Sequence, residues 1–220
     1  MPRLHGAAVD DWAILVLEDL HDAHWPPPYP DDGAGLLETV ALVSETRPPP
    51  GLRRRPEGRP LGTYWHRIAD DPEPVLAQAS FSAAWLDGVL PELVAAESRA
   101  RLAGDDFLHD DVWHGNVCYT ARGVVLIDWA SVSIGDRRLD LAYALLSIRS
   151  TGATPPPVEF DDEAAYAALL AGSNAYNAAQ PIGDSIMRAS MLRAGWLHDL
   201  KYALIWAADL LGLPRPDEQV

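Results

Sequence analysis

Apolar positions along this chain change their spacing several times, and each change marks an element. Leu4–Ala8 and Trp12–Leu17 are short apolar runs on either side of Asp10-Asp11 and predict a β-hairpin. Pro26-Pro27-Pro28 and Pro30 interrupt it. From Asp32 to Thr46 the spacing becomes helical, with Leu36, Leu37, Val40 and Val43 on one side. Pro48-Pro49-Pro50-Gly51 stops that helix. The stretch Leu52–Pro74, rich in Arg, Pro and Gly, reads as a loop holding one helical turn, with Arg53-Arg54-Arg55 as solvated side chains that could bind an anion. Helical spacing resumes over Pro74–Leu90 and Pro91–Ala103, and Gly104 is the stop.

Shorter apolar runs follow. Phe107-Leu108 leads into a polar loop. Val117-Cys118-Tyr119 and Val124-Val125-Leu126-Ile127 predict two strands joined by Thr120-Ala121-Arg122-Gly123, a tight hairpin. Such a hairpin brings Asn116, before its first strand, beside Asp128, after its second. Asp136 is the expected N-cap of a helix over Arg137–Ile148, whose inner face is Leu139, Ala142, Tyr143 and Leu146. Pro155-Pro156-Pro157 breaks the chain once more. Helices are expected over Asp161–Ala178 and Asp184–Leu211, the last with a core-facing stripe of Leu197, Leu200, Leu204, Ala207 and Leu211. The sum is an α+β fold, mostly helical, without repeats.

Composition narrows the function classes. The chain has 220 residues, 48% of them apolar, enough for a sizeable core. Its 32 Asp and Glu against 17 Lys and Arg give a formal charge of −15, which argues against a nucleic-acid partner. The same charge permits a cationic small molecule. A single cysteine, Cys118, excludes an internal disulfide framework and fits a reducing cytoplasm. It lies in an apolar strand pattern and reads as a packing residue. The run Ala13–Leu17 is too short for a signal peptide and continues into Glu18-Asp19, and nothing reaches the length of a membrane span. The only lysine is Lys201.

The chemistry is concentrated in His109-Asp110-Asp111-Val112-Trp113-His114-Gly115-Asn116 and in Ile127-Asp128-Trp129. Phosphoryl transfer needs an oriented hydroxyl, an acceptor for its proton, and cations against the phosphate charge. In the protein-kinase layout the base Asp and a metal-binding Asn lie five residues apart, and a second metal-binding Asp follows a strand. Asp111, Asn116 and Asp128 have that arrangement, and their oxygens suit Mg²⁺. His109 is expected to brace the loop. His114 could contact substrate or bond within the loop, and Trp113 and Trp129 could wall a substrate site or simply pack. Asp110 is expected to point away from the chemistry. A rival reading takes His109, Asp110, Asp111 and His114 as transition-metal ligands of a hydrolase. A plain solvated turn leaves unexplained why a lone Asp ends the apolar strand Val124–Ile127.

Together with Gly135-Asp136-x₃-Asp140-Leu141-Ala142, these residues resemble the aminoglycoside phosphotransferase and choline kinase-like family, a branch of the protein-kinase-like fold. Members typically show His-Gly-Asp-x₄-Asn, then Ile-Asp-Trp or Ile-Asp-Phe, then Gly-Asp-x₃-Asp-Leu-Ala; here Asp110 replaces the first glycine. The resemblance implies Asp111 as catalytic base, Asn116 and Asp128 as Mg²⁺ ligands, and Asp140 as a support beneath the loop. It also implies ATP or GTP as donor, with adenine against the backbone of the hinge strand at Leu17-Glu18. On this likeness residues 1–20 correspond to the last N-lobe hairpin and hinge, and 21–220 to a helical C-lobe carrying the catalytic loop.

The family's N-lobe also holds a loop over the phosphates and a strand lysine that pairs with them. No glycine-rich loop and no lysine before Lys201 occurs in these 220 residues. The expectation is a phosphotransferase of small-molecule alcohols, incomplete and weakly active or inactive as this polypeptide. The alternatives are a non-catalytic, ligand-binding remnant, the metal-dependent hydrolase, or a second polypeptide or an arginine supplying what is missing. An unpaired edge on the opening hairpin predicts self-association. Glu159, Asp161, Asp162 and Glu163 could attract an amine-rich ligand or could form an exposed helix start.

Overall fold

The computed structural model describes residues 1–9, 13–55, 63–182 and 189–216. Strands β1 (Leu4–Val9) and β2 (Ala13–Leu17) pair antiparallel, as the opening runs predict. The expected turn at Asp10-Asp11, with Trp12, lies outside the described residues. Helix α1 (Ala34–Glu45) buries Leu36, Leu37 and Val40, the face its spacing predicts.

The stretch expected as a loop is different. Within it lies α2 (Tyr64–Asp70), which buries Trp65 and Ile68 completely. No side chain of its own cap supports its start. Instead the buried carboxylate of Glu97, 33 residues downstream, accepts the N–H groups of Tyr64 (2.9 Å) and Trp65 (3.0 Å). A helix N-terminus needs acceptors for its first donors, and here a distant element supplies them. After a single turn, α3 (Glu73–Leu76), the chain is interrupted before α4 (Ala83–Glu97), and Pro91 lies inside α4. Ser82 starts α4 by accepting the Trp85 N–H (3.0 Å). Pro91 is exposed, so the carbonyl it leaves without a helical donor lies on the solvent side of α4. The helix also ends at Glu97, before the expected Ala103. Gly104 serves another purpose: a Cβ there would lie 2.4 Å from the Gly135 carbonyl oxygen.

Next come β3 (Asp106–Leu108), β4 (Val117–Thr120), β5 (Gly123–Leu126) and β6 (Ser133–Gly135). β4 and β5 form the predicted hairpin, with Thr120 opposite Gly123. His24 extends it by exchanging backbone hydrogen bonds with Tyr119 (2.8 and 2.9 Å). β3 pairs antiparallel with β6, and Arg54 bridges β6 on its other side. Residues 53–55 are therefore an added strand segment, not a free loop. Helix α5 (Arg138–Ser150) begins one residue later than expected. Asp136 still accepts the Arg138 N–H (3.1 Å), although the capping position itself is Arg137.

Helix α6 (Glu163–Ala179) lies at the centre of the helical body, touching α2, α3, α4, α5 and α7 (Ala189–Leu211). Its small residues, Ala165, Ala168, Ala171, Gly172 and Ala175, let neighbours approach closely. Trp65 lies over Gly172 and donates its indole N–H to the Ala168 carbonyl (2.7 Å). The α7 stripe is core: Leu200, Leu204 and Ala207 are buried, and Leu197 and Leu211 pack against them. The expected helix start at Asp184 lies outside the described residues. Among the described residues no helix is long and apolar enough to cross a membrane.

Candidate active site

The β4–β5 hairpin and the β3–β6 pair converge on the loop 109–116. The Ile127 N–H donates to the Asn116 carbonyl (3.0 Å), so the end of β5 is fastened to the end of the loop. That bond makes Asn116 and Asp128 neighbours, as the hairpin geometry predicts. Asn116 is buried and donates its side-chain amide to the Asp111 carboxylate (2.9 Å) and the Asp111 carbonyl (3.0 Å). With Nδ2 so engaged, Oδ1 is the oxygen left to face a cation. Asp128 is exposed and has a left-handed backbone (φ 56°, ψ 67°), which turns the chain sharply after β5. Asp111 is half-buried, and burial pushes its carboxyl above its usual range, with the Asn116 bond pulling the other way.

The loop is supported from below. Asp140, 1% exposed in the first turn of α5, accepts the backbone N–H groups of His109 (2.6 Å) and Asp110 (2.8 Å). Burial raises its carboxyl to about 7 against the pull of those two bonds. His109 is fully buried, with Nε2 2.9 Å from the Ile127 carbonyl and its ring edge-on to Trp129 at 4.6 Å. Desolvation lowers its pKa, so the neutral ring donates from Nε2. Trp129 donates its indole N–H to the Leu126 carbonyl (2.9 Å) and stacks on Phe107.

Trp113 is 45% exposed and meets His114 edge-on at 4.9 Å. Its ring closes over Gly115, where a Cβ would lie 2.4 Å away, so a larger residue would require the ring to shift. Burial lowers the pKa of His114, while the nearby Asp199 carboxylate of α7 favours its charged form. Among the described residues no group of three or more His, Cys, Asp or Glu is placed to hold a metal. The Asn116 side-chain oxygen and the Asp128 carboxylate are donors of the kind a hard cation prefers.

Leu17 and Glu18 lie at the end of β2, apart from this cluster. The Glu18 carboxylate binds Arg122 of the hairpin turn (2.5 and 2.7 Å) and the Arg3 N–H (3.0 Å), which ties the opening hairpin to the β4–β5 hairpin. Glu163 and Asp162 form internal ties: Glu163 accepts the Trp206 indole N–H (2.7 Å) and lies 3.6 Å from Arg149, while Asp162 lies 3.8 Å from Arg99. Cys118 is buried and free. Sequence reasoning missed Arg55, Ser133 and Arg122, which hold the loop and the hairpin. Their partners lie 55, 23 and 104 residues away.

Comparison with known proteins shows the family and the fold. A probable ketoamine kinase of Thermus thermophilus is 30% identical over 160 residues, covering 66% of this chain and 54% of that protein. The chain thus spans about half the length of the curated relative it matches. A choline/ethanolamine kinase family protein from Mesorhizobium loti shares the fold at 14% identity, with a TM-score of 0.52 over 94% of this chain and 76% of that one. The model of the phosphotransferase enzyme family matches residues 2–182, a span that includes loop 109–116, both hairpins and the β6–α5 turn, and the chain belongs to that family.

Proposed function

We propose that the chain carries the catalytic-loop half of an ATP-dependent phosphotransferase acting on a hydroxyl of a small molecule. The observation that carries this reading is the Asp111–Asn116 hydrogen bond with Asp128 brought beside it. Asp111 takes the hydroxyl proton, and its upward shift makes it a stronger base than an ordinary aspartate. The Asn116 Oδ1 and the Asp128 carboxylate would hold Mg²⁺, which supplies charge neutralisation on the nucleotide phosphates. His109 and Asp140 fix the loop. Trp113, His114 and Trp129 border the acceptor, and Leu17-Glu18 lie against the adenine or guanine of the donor. Residues 1–20 act as the hinge and final N-lobe hairpin, 21–220 as the C-lobe, and the protein works in the cytoplasm. The net charge favours an acceptor bearing an amine, as does the likeness to the Thermus ketoamine kinase.

With no lysine before Lys201, these 220 residues do not offer the phosphate-pairing lysine of the protein-kinase layout. Turnover by this polypeptide alone is therefore expected to be weak or absent. ATP-dependent phosphorylation of an amino-alcohol panel at ordinary kinase rates would overturn that expectation. Binding tests the site directly. Titration with Mg²⁺ and ATP should give a metal-dependent signal that Asp128→Ala removes and His114→Ala leaves in place. The opposite result would favour the hydrolase reading over the phosphotransferase one.

A further inference from the structure

Asp110 stands where the resembling family carries glycine, and its backbone explains why glycine suits the position: φ is +66°. Aspartate is among the few other residues that tolerate this region. Its carboxylate is wholly inaccessible. A buried carboxylate needs a counter-charge and hydrogen bonds. Arg55 pairs with Oδ1, the Ser133 hydroxyl donates to Oδ2 (2.9 Å), and Arg53 lies 3.7 Å from Oδ2. Arg55 is 13% exposed, whereas Arg53 and Arg54 are each 63% exposed. The backbone fixes Arg55 in turn: its N–H donates to the Ile134 carbonyl (2.7 Å), and the Ile134 N–H donates to the Arg53 carbonyl (2.9 Å).

Loop 109–116 is thus gripped twice. Asp140 holds the backbone N–H groups of 109 and 110, and Arg55 holds the side chain of 110 from the opposite strand segment. With both grips closed, residue 111 leaves the turn in one direction, toward Asn116. We infer that Arg55 is a positioning residue for the catalytic loop, acting on Asp111 through the buried carboxylate of Asp110. The word catalytic rests on the phosphotransferase reading; the coupling itself does not.

Native-state hydrogen exchange on the full chain tests it, with the His109 and Asp110 amides and the Asn116 side-chain amide as probes. Arg55→Met should cut protection at these probes tenfold or more while amides in α5 and α6 change less than twofold. In an Asp110→Gly background the same substitution should change the probes less than twofold, because Arg55 acts only through Asp110. If Arg55→Met does not fold, Arg55→Lys replaces it: a loss of threefold or more beside Asp110, and none in the glycine background. Equal effects in both backgrounds, or uniform loss through α5 and α6, would overturn the inference. Exchange is read without nucleotide or metal, so failure of the phosphotransferase reading appears separately, as absent Mg²⁺-ATP binding.

Discussion

Asp140 carries the clearest pH signature of any single side chain. Its folded pKa of about 7 lies well above the unfolded value of about 3.9. Between those values the folded state binds more protons than the unfolded one, so stability falls as pH rises from about 4 to about 7. Asp140→Asn keeps the shape and one acceptor but cannot titrate. Urea midpoints across that window should fall less steeply in the variant than in the native protein. The slope does not vanish, because burial also raises Asp111 and Asp199. Identical slopes would remove Asp140 as the source. The sequence made Asp111, Asn116, Asp128 and Asp140 legible as a candidate cluster because they sit at short, fixed spacings. It hid Arg55 behind an arginine triplet that reads as solvent-exposed, and two of those three arginines are exposed. Only contact with Asp110, far away in the chain, separates Arg55 from its neighbours.

Helix α2 shows the same limit for a whole element. Its seven residues are flanked by proline and glycine, and its cap is not local. Periodicity cannot announce a helix whose first two N–H groups are satisfied by Glu97. Truncating that carboxylate strands buried donors, which costs about 2 kcal/mol or more. Glu97→Ala should therefore lower the urea midpoint with an unchanged slope, and a loss under roughly 0.5 kcal/mol would show that the cap is replaceable. Three-residue strands are equally silent in sequence: β3 and β6 are too short to show alternation, and their register is set by each other and by residues 53–55. By contrast α1, α5, α6 and the β4–β5 hairpin were readable, because each buries one continuous face or closes with a tight turn. Pro91 misled because a proline on the exposed side of a long helix does not break it.

The opening hairpin leaves apolar side chains of the molecule exposed. Ile14 and Val16 point to one side of β2, Leu15 and Leu17 to the other, and all four are between 48% and 60% exposed. Among the described strands β1 and β2 pair only with each other, so both faces and both edges are open. Covering two such side chains contributes on the order of 3–6 kcal/mol. Association costs on the order of 4–15 kcal/mol in lost freedom, so the expected complex is weak and concentration-dependent. The charge of −15 opposes it at low salt, and screening removes that opposition above roughly 0.1 M. Light scattering should therefore show the average mass rising with both protein concentration and salt. Ile14→Thr with Val16→Thr keeps β-branched strand formers while removing apolar surface. That double variant should remain monomeric where the native chain associates. Met191 and Leu192 on α7, 66% and 42% exposed, are the competing surface. If Met191→Ser restores the monomer and the hairpin variant does not, association runs through α7 and the hairpin edge is not the cause.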